Sequence, residues 1–204
     1  KNDHDSCGVG FIARIDGVSL HAVVEQGIRI LVNLEHRGAL GGDKSTGDGA
    51  GLLLEIPDTF LRQVCPGGGL YLPPRGEYAA GMLFLPMDEA LAGRCSTTLE
   101  QIAAAEGCPV LGWREVPVDP SILGDLSGST RPRIRQVFLG RGTHEGDAFE
   151  RKLYVIRRLA EKKVASWHDV DASQFYVSSL SGRTIVYKGL LTGSQLPQFY
   201  PDLK

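Results

Sequence analysis

The sequence predicts an α+β domain, with strands and helices gathered into separate packed layers. Three observations carry that expectation. Short segments such as Tyr78–Leu85 and Thr184–Tyr187 are apolar or alternate in polarity, as strands do. Longer stretches, His21–Glu35 and the run that begins at Asp147, repeat apolar residues at helical spacing. A chain of 204 residues that is 42% hydrophobic is long enough to bury a core as one domain or a compact pair.

In order, Val9, Phe11, Ala13 and Ile15 alternate along a strand over Gly8–Ile15 that ends at the turn Asp16-Gly17. Ser19 is read as the N-cap of a helix over His21–Glu35, carried by Val24, Ile28, Leu31 and Leu34, and Arg37-Gly38 ends it. Gly, Asp, Ser and Thr make Ala39–Gly49 a loop. Ala50–Ile56 is a buried strand, and Pro57-Asp58 opens a short helix to Val64. Pro66–Gly76 is a Pro/Gly loop and Tyr78–Leu85 a strand. Asp88 caps a helix to about Glu106, and Val110–Val116 is the next strand. Pro117–Arg133 is mostly irregular, Ile134–Leu139 a strand, and Leu153, Ile156, the Arg157 stem and Ala160 share one face of a helix from Asp147 to Val164–Trp167. Phe175–Ser179 and Thr184–Tyr187 read as a hairpin with Gly182 at its turn. A short helix near Ser194–Phe199 follows.

A net charge of −2, from 22 basic and 24 acidic residues, gives no field suited to nucleic acid or an anionic membrane. The longest apolar runs, Gly51–Leu54 and Ala79–Pro86, fall far short of the ~20 residues that span a bilayer. With no signal-peptide pattern at Lys1–Asp5, a cytoplasmic or organelle-stromal location is expected. Cys7, Cys65, Cys95 and Cys108 form no Cys-x-x-Cys pair and are expected to be free, with Cys65 and Cys108 structural. No His-Glu-x-x-His occurs, and no metal site is expected.

Cys7 sits at the start of the first strand, beside Gly8 and Gly10. One reading makes it a small buried hydrophobe. The other makes it an exposed nucleophile, which needs a nearby base because its thiol titrates near 8.5 when unperturbed. An N-terminal amine, titrating at about 7.7 to 8.0, can be that base. Gly8-x-Gly10-x-x-Ala13 matches a dinucleotide fingerprint on paper but lacks the preceding strand and following helix, so it is rejected. Arg37 is either a surface cation at a helix C-terminus or a site residue. The small residues of Thr46-Gly47-Asp48-Gly49-Ala50-Gly51 let another backbone approach closely, and no phosphate-loop ending follows them.

Cys7-Gly8-Val9-Gly10-Phe11, Leu34-Glu35-His36-Arg37-Gly38-Ala39 and Thr46–Gly51, in this order and spacing, resemble the start of the glutamine amidotransferase domain of the glutamate synthase large subunit. Arg151–Arg158, Phe175–Ser181, Arg183–Gly189 and Phe199–Leu203 extend the resemblance over nearly the whole chain. It implies a class II, N-terminal nucleophile hydrolase: a four-layer αββα sandwich, here incomplete at its C-terminus. It further implies that Cys7 attacks the side-chain amide of L-glutamine, releasing ammonia and then glutamate, while Arg37 positions substrate or nucleophile. The implied partner is a synthase domain or subunit. FMN and an iron–sulfur cluster are implied for other domains, and no cofactor for this chain.

By the same resemblance, Lys1–Ser6 are a propeptide remnant and 7–204 the N-terminal part of the amidotransferase domain. The Ser6–Cys7 bond must then be cut to free the amine of Cys7. The family's oxyanion hole includes an Asn-Gly pair, whereas Asn2 and Asn33 are followed by Asp and Leu. Loss of one such donor typically costs ~10²- to 10³-fold in rate, so this chain alone is expected to be weakly active or inactive. A non-catalytic interaction or regulatory role is the alternative. A penicillin or bile-salt type acylase would share the cysteine but not the His-Arg-Gly and Thr-Gly-Asp-Gly-Ala-Gly segments.

Overall fold

The computed structural model describes residues 8–37, 46–168 and 171–204. In chain order the elements are α1 (His21–Leu34), β1 (Ala50–Glu55), α2 (Asp58–Val64), β2 (Tyr78–Leu85), α3 (Glu89–Ala105), β3 (Val110–Glu115), α4 (Asp125–Ser129), β4 (Arg133–Gly140), α5 (Gly146–Ala165), β5 (Tyr176–Ser181), β6 (Thr184–Gly189) and α6 (Leu196–Phe199). They divide into two compact units, one built from the described parts of 1–53, 117–131 and 187–204, the other from 54–116 and 132–186.

The second unit is organised by a four-stranded antiparallel sheet in the order β3-β4-β2-β5. β2 is central and almost fully buried, which is why its sequence reads as a continuous apolar run rather than an alternation. Asp88 caps α3 as expected, its carboxylate accepting from the Leu91 amide at 2.8 Å. On α5, Leu153, Ile156 and Ala160 are all buried. With Leu99 and Ala103 of α3 and Leu83, Val137 and Val177 of the sheet they form one core cluster. Each large aliphatic side chain so buried contributes about 1.5–3 kcal/mol. Arg157 keeps its charge outward, pairing with Glu161 at 3.0 Å.

The first unit holds α1, most of β1, α4, α6 and the end of β6. β1 and β6 pair as a two-stranded sheet. β1 alternates between half-buried and exposed positions. Tyr187 and Tyr200 meet edge to face at 5.1 Å, and the Tyr200 hydroxyl donates to the Lys188 carbonyl at 2.8 Å.

Four expectations need correction. Ala50–Ile56 is not a buried strand, since β1 shows half-buried and exposed positions in alternation. Among the described residues, Gly8–Ile15 joins neither sheet, and Val9 and Phe11 are 91% and 93% exposed. Alternation states only which face a strand would show; ladder bonds also need a partner edge. Here the local polar bonds serve a turn, with Asp16 accepting from Arg14 and from the Val18 amide. Ser19 is not the cap of α1: the N-cap is Leu20, with no side-chain bond. Phe175–Ser179 and Thr184–Tyr187 are strands but not a hairpin, because β5 joins the four-stranded sheet and β6 pairs with β1. Side chains take the amides between them, Glu150 bonding Gly182 N–H at 2.8 Å and Ser181 Oγ bonding Arg183 N–H at 2.9 Å.

Asp58 at the start of α2 accepts from Arg62 at 2.9 Å and from the Tyr78 hydroxyl at 2.8 Å. Arg62, and then Tyr78, hold the Asp58 carboxyl below its ordinary range against the opposing effect of burial. A depressed folded-state pKa gives stability that is complete above the unfolded value, near 3.9, and is lost as pH falls through the folded value. Thermal unfolding followed from pH 6 to pH 2.5 is expected to show this acid loss, and Asp58→Asn should flatten it while lowering stability at neutral pH.

Candidate functional site

The site builds on α1, whose buried Gly27 faces Leu52 of β1 with 3.0 Å between the position of an added Cβ and Leu52 Cδ1. α1 runs on into a 3-10 turn, Glu35–Arg37, where His36 Nδ1 lies 2.8 Å from the Asn33 carbonyl oxygen. The backbone thus places Arg37 at the C-terminal end of this helix; its side chain is not among the described parts. Cys7 also lies outside the described residues. Its successors do not: a Cβ on Gly8 would stand 3.1 Å from Leu34, and one on Gly10 only 2.5 Å from Ile30 Cγ2. The chain leaving Cys7 therefore runs back along the last turns of α1, from Leu34 beside the turn that carries Arg37 toward Ile30. No helix follows Gly10 before His21, consistent with rejecting the dinucleotide fingerprint.

Thr46–Gly51 approaches another backbone, as its small residues suggest. A Cβ on Gly47 would sit 2.4 Å from both the carbonyl carbon and oxygen of Leu191 and 2.6 Å from Thr192 N. One on Gly51 would be 2.9 Å from Lys188 Cβ. Thr46 is buried, with its hydroxyl 3.4 Å from Ser127 Oγ.

The loop opposite Gly47 is a feature that reading the sequence by motif passed over. Gln195 N–H donates to Thr192 Oγ1 at 3.3 Å and Gln195 Oε1 accepts from Thr192 N–H at 2.9 Å, the reciprocal bonding of a capping box ahead of α6. The spacing Thr192-x-x-Gln195 was the available signal. Between them, Gly193 lies against the α1 backbone, where a Cβ would be 2.7 Å from the Leu31 carbonyl carbon. The Glu35 carboxylate accepts from Ser194 N–H at 2.5 Å. That amide bond is the main reason the Glu35 carboxyl is held below its ordinary range.

Cys65, Cys95 and Cys108 are buried and form no disulfide. Burial pushes the Cys95 thiol up to about 11 and raises that of Cys108, which disfavours the reactive thiolate in both. Among the described residues, no three His, Cys, Asp or Glu side chains gather to hold a metal, and no helix is long and apolar enough to cross a membrane.

Residues 7–204 match the family model described as "Glutamine amidotransferases class-II". The chain is 43% identical over 204 residues to "Glutamate synthase [NADPH] large chain" of Bacillus subtilis, covering 99% of this chain and 13% of that protein. It is 42% identical over 207 residues to the protein of the same name from Azospirillum brasilense, covering all of this chain and 13% of that one. To "Ferredoxin-dependent glutamate synthase 2, chloroplastic" of Arabidopsis thaliana it is 40% identical over 206 residues, again the whole of this chain and 12% of the relative.

Gly47→Ala is expected to destabilise the protein by about 1–3 kcal/mol, because backbone rather than a pliable side chain meets the new methyl. Gly67, around which a Cβ would find nothing within 4 Å, supplies the control: urea unfolding of Gly67→Ala should match the parent.

Proposed function

The chain belongs to the class-II glutamine amidotransferases, and from that premise we propose that it hydrolyses L-glutamine to glutamate and ammonia, as the glutaminase part of a glutamate synthase. The single observation that carries this reading is the meeting of motifs at one helix end: Gly8 and Gly10 run along α1 beside Leu34 and Ile30, and Arg37 lies in the turn that closes α1. Cys7 is the proposed nucleophile and Arg37 the residue that positions glutamine or the nucleophile segment.

In the proposed reaction the Cys7 thiolate adds to the side-chain amide carbon of glutamine, and the nitrogen leaves as ammonia after taking a proton. Water then cleaves the thioester, restoring the thiol and giving glutamate. Both steps are acyl transfers that move no electrons to or from an acceptor, so the flavin and iron–sulfur cluster of glutamate synthase are assigned to other domains. The base is the α-amine of Cys7, freed by cleavage of Ser6–Cys7; its ordinary pKa suits proton transfer near neutrality. In the same proposal, Lys1–Ser6 are a propeptide remnant, 7–204 form the N-terminal part of the domain, and the ammonia passes to a synthase domain or subunit. The family match beginning at residue 7 supports that division.

The four-layer αββα sandwich is likewise proposed. An antiparallel sheet with α3 and α5 in its core cluster, and a separate β1–β6 pair, support it. A reducing compartment, cytoplasmic or stromal, suits buried thiols that are unbridged.

Glutamate release from glutamine, assayed with the intact mass recorded and Cys7→Ala alongside, tests the reading. Release, weak in this chain alone, is expected only from protein beginning at Cys7, and none from the variant. Full release by protein that retains Lys1, or release unaffected in Cys7→Ala, would contradict it.

A further inference from the structure

Glu35 is an acidic residue at the C-terminal end of α1, where the helix dipole disfavours negative charge. A side chain placed against that field calls for a compensating partner, and the structure supplies one. Its carboxylate takes the backbone N–H of Ser194 at 2.5 Å, and the Ser194 and Thr192 hydroxyls further favour its ionised form.

The partner loop is itself rigidly specified. Thr192 and Gln195 bond each other reciprocally, Thr192 Oγ1 and Ser194 Oγ are 3.0 Å apart, and Gln195 Nε2 donates to the Ile122 carbonyl at 3.1 Å. One side of this loop is pressed on Gly47, and Gly193 is pressed on the backbone of Leu31 and Val32. Those glycine contacts set how near the loop comes to α1 but are non-directional. The bond from Ser194 N–H to Glu35 is directional, and it falls on the first residue of the 3-10 turn that ends at Arg37.

We propose that Glu35 is a positioning residue for glutamine hydrolysis: by clamping the Thr192–Gln195 loop to the end of α1, it fixes the orientation of the turn that presents Arg37. The inference rests on the glutaminase reading for its consequence, though not for the clamp itself. Glu35 takes no part in bond making. Its effect is to remove freedom from a segment two residues away, and displacement of about 1 Å at a reacting centre can cost ~10²-fold.

Glu35→Ala and Glu35→Gln separate this role from a merely structural one. Glu35→Ala should lower kcat/KM for glutamine ~10- to 100-fold, at an assay temperature well below a melting temperature that the lost hydrogen bond lowers only slightly. Glu35→Gln should restore most of it, since an amide oxygen still accepts from Ser194 N–H. Full activity in Glu35→Ala, a loss that Glu35→Gln does not repair, or a loss that tracks the melting temperature would overturn the proposal. Amide hydrogen exchange tests the clamp with no reference to turnover: Ser194, His36 and Arg37 amides should exchange faster in Glu35→Ala and near the parent rate in Glu35→Gln. Unchanged exchange in Glu35→Ala overturns the inference. A parent chain that shows the clamp but releases no glutamate, even when it begins at Cys7, counts against the proposed function instead.

Discussion

Backbone packed on backbone, with no side chain between, is the contact on which the first unit depends. Gly47 faces the Leu191–Thr192 peptide, and Gly193 faces the α1 backbone at Leu31 and Val32. A glycine is entropically costly to order, yet any larger residue at these points would push the segments apart. The consequence reaches the proposed chemistry. Three stretches distant in sequence, the one after Cys7, the end of α1 and the loop before α6, are drawn to one place because Gly8 and Gly10 lie close on Leu34 and Ile30, and Gly193 close on the backbone of Leu31 and Val32. Directional bonds then add register to that proximity, Glu35 to Ser194 and Tyr200 to Lys188 among them.

The second unit is held by different physics. Its stability comes from a continuous apolar cluster between β2, β4, β5 and the helices α3 and α5, trimmed by polar pairs at the margins such as Lys152 with Glu106 at 2.7 Å. The thiols inside it are packing groups. Cys95 and Cys108 belong to that cluster, and desolvation holds their protons on. With Cys7 as the proposed nucleophile, burying Cys95 and Cys108 is a chemical separation as well as a packing choice, since an inert thiol competes for neither substrate nor oxidant.

Much of this was legible in the residues, for reasons that differ by element. Tyr78–Leu85, the capped helix after Asp88 and the face Leu153-Ile156-Ala160 could be read because burial imposes a period and a cap imposes a residue type. The close approach at Thr46–Gly51 could be read because small residues at alternate positions serve little other purpose. What misled was pairing. The alternation over Gly8–Ile15 and the two apolar runs on either side of Gly182 are local properties, whereas which strand meets which edge is decided by partners far along the chain. The clamp on Glu35 was illegible for the same reason: its partner is a backbone amide at Ser194, and an amide carries no signature of residue type. The proposed roles of Cys7 and Arg37 came from family resemblance and motif order, since a lone cysteine beside glycine and a lone arginine after a helix are compatible with plain packing and plain solvation.

The measurement that bears most directly on the central claim is competitive alkylation of the native protein at neutral pH, with each cysteine followed by peptide mass spectrometry and glutamine present or absent. If Cys7 is the glutaminase nucleophile, it should be modified well before Cys65, Cys95 and Cys108, and glutamine should slow its modification alone. If Cys7 reacts no faster than the buried thiols, or reacts at the same rate whether or not glutamine is present, the account of this domain as a Cys7-dependent glutaminase is wrong.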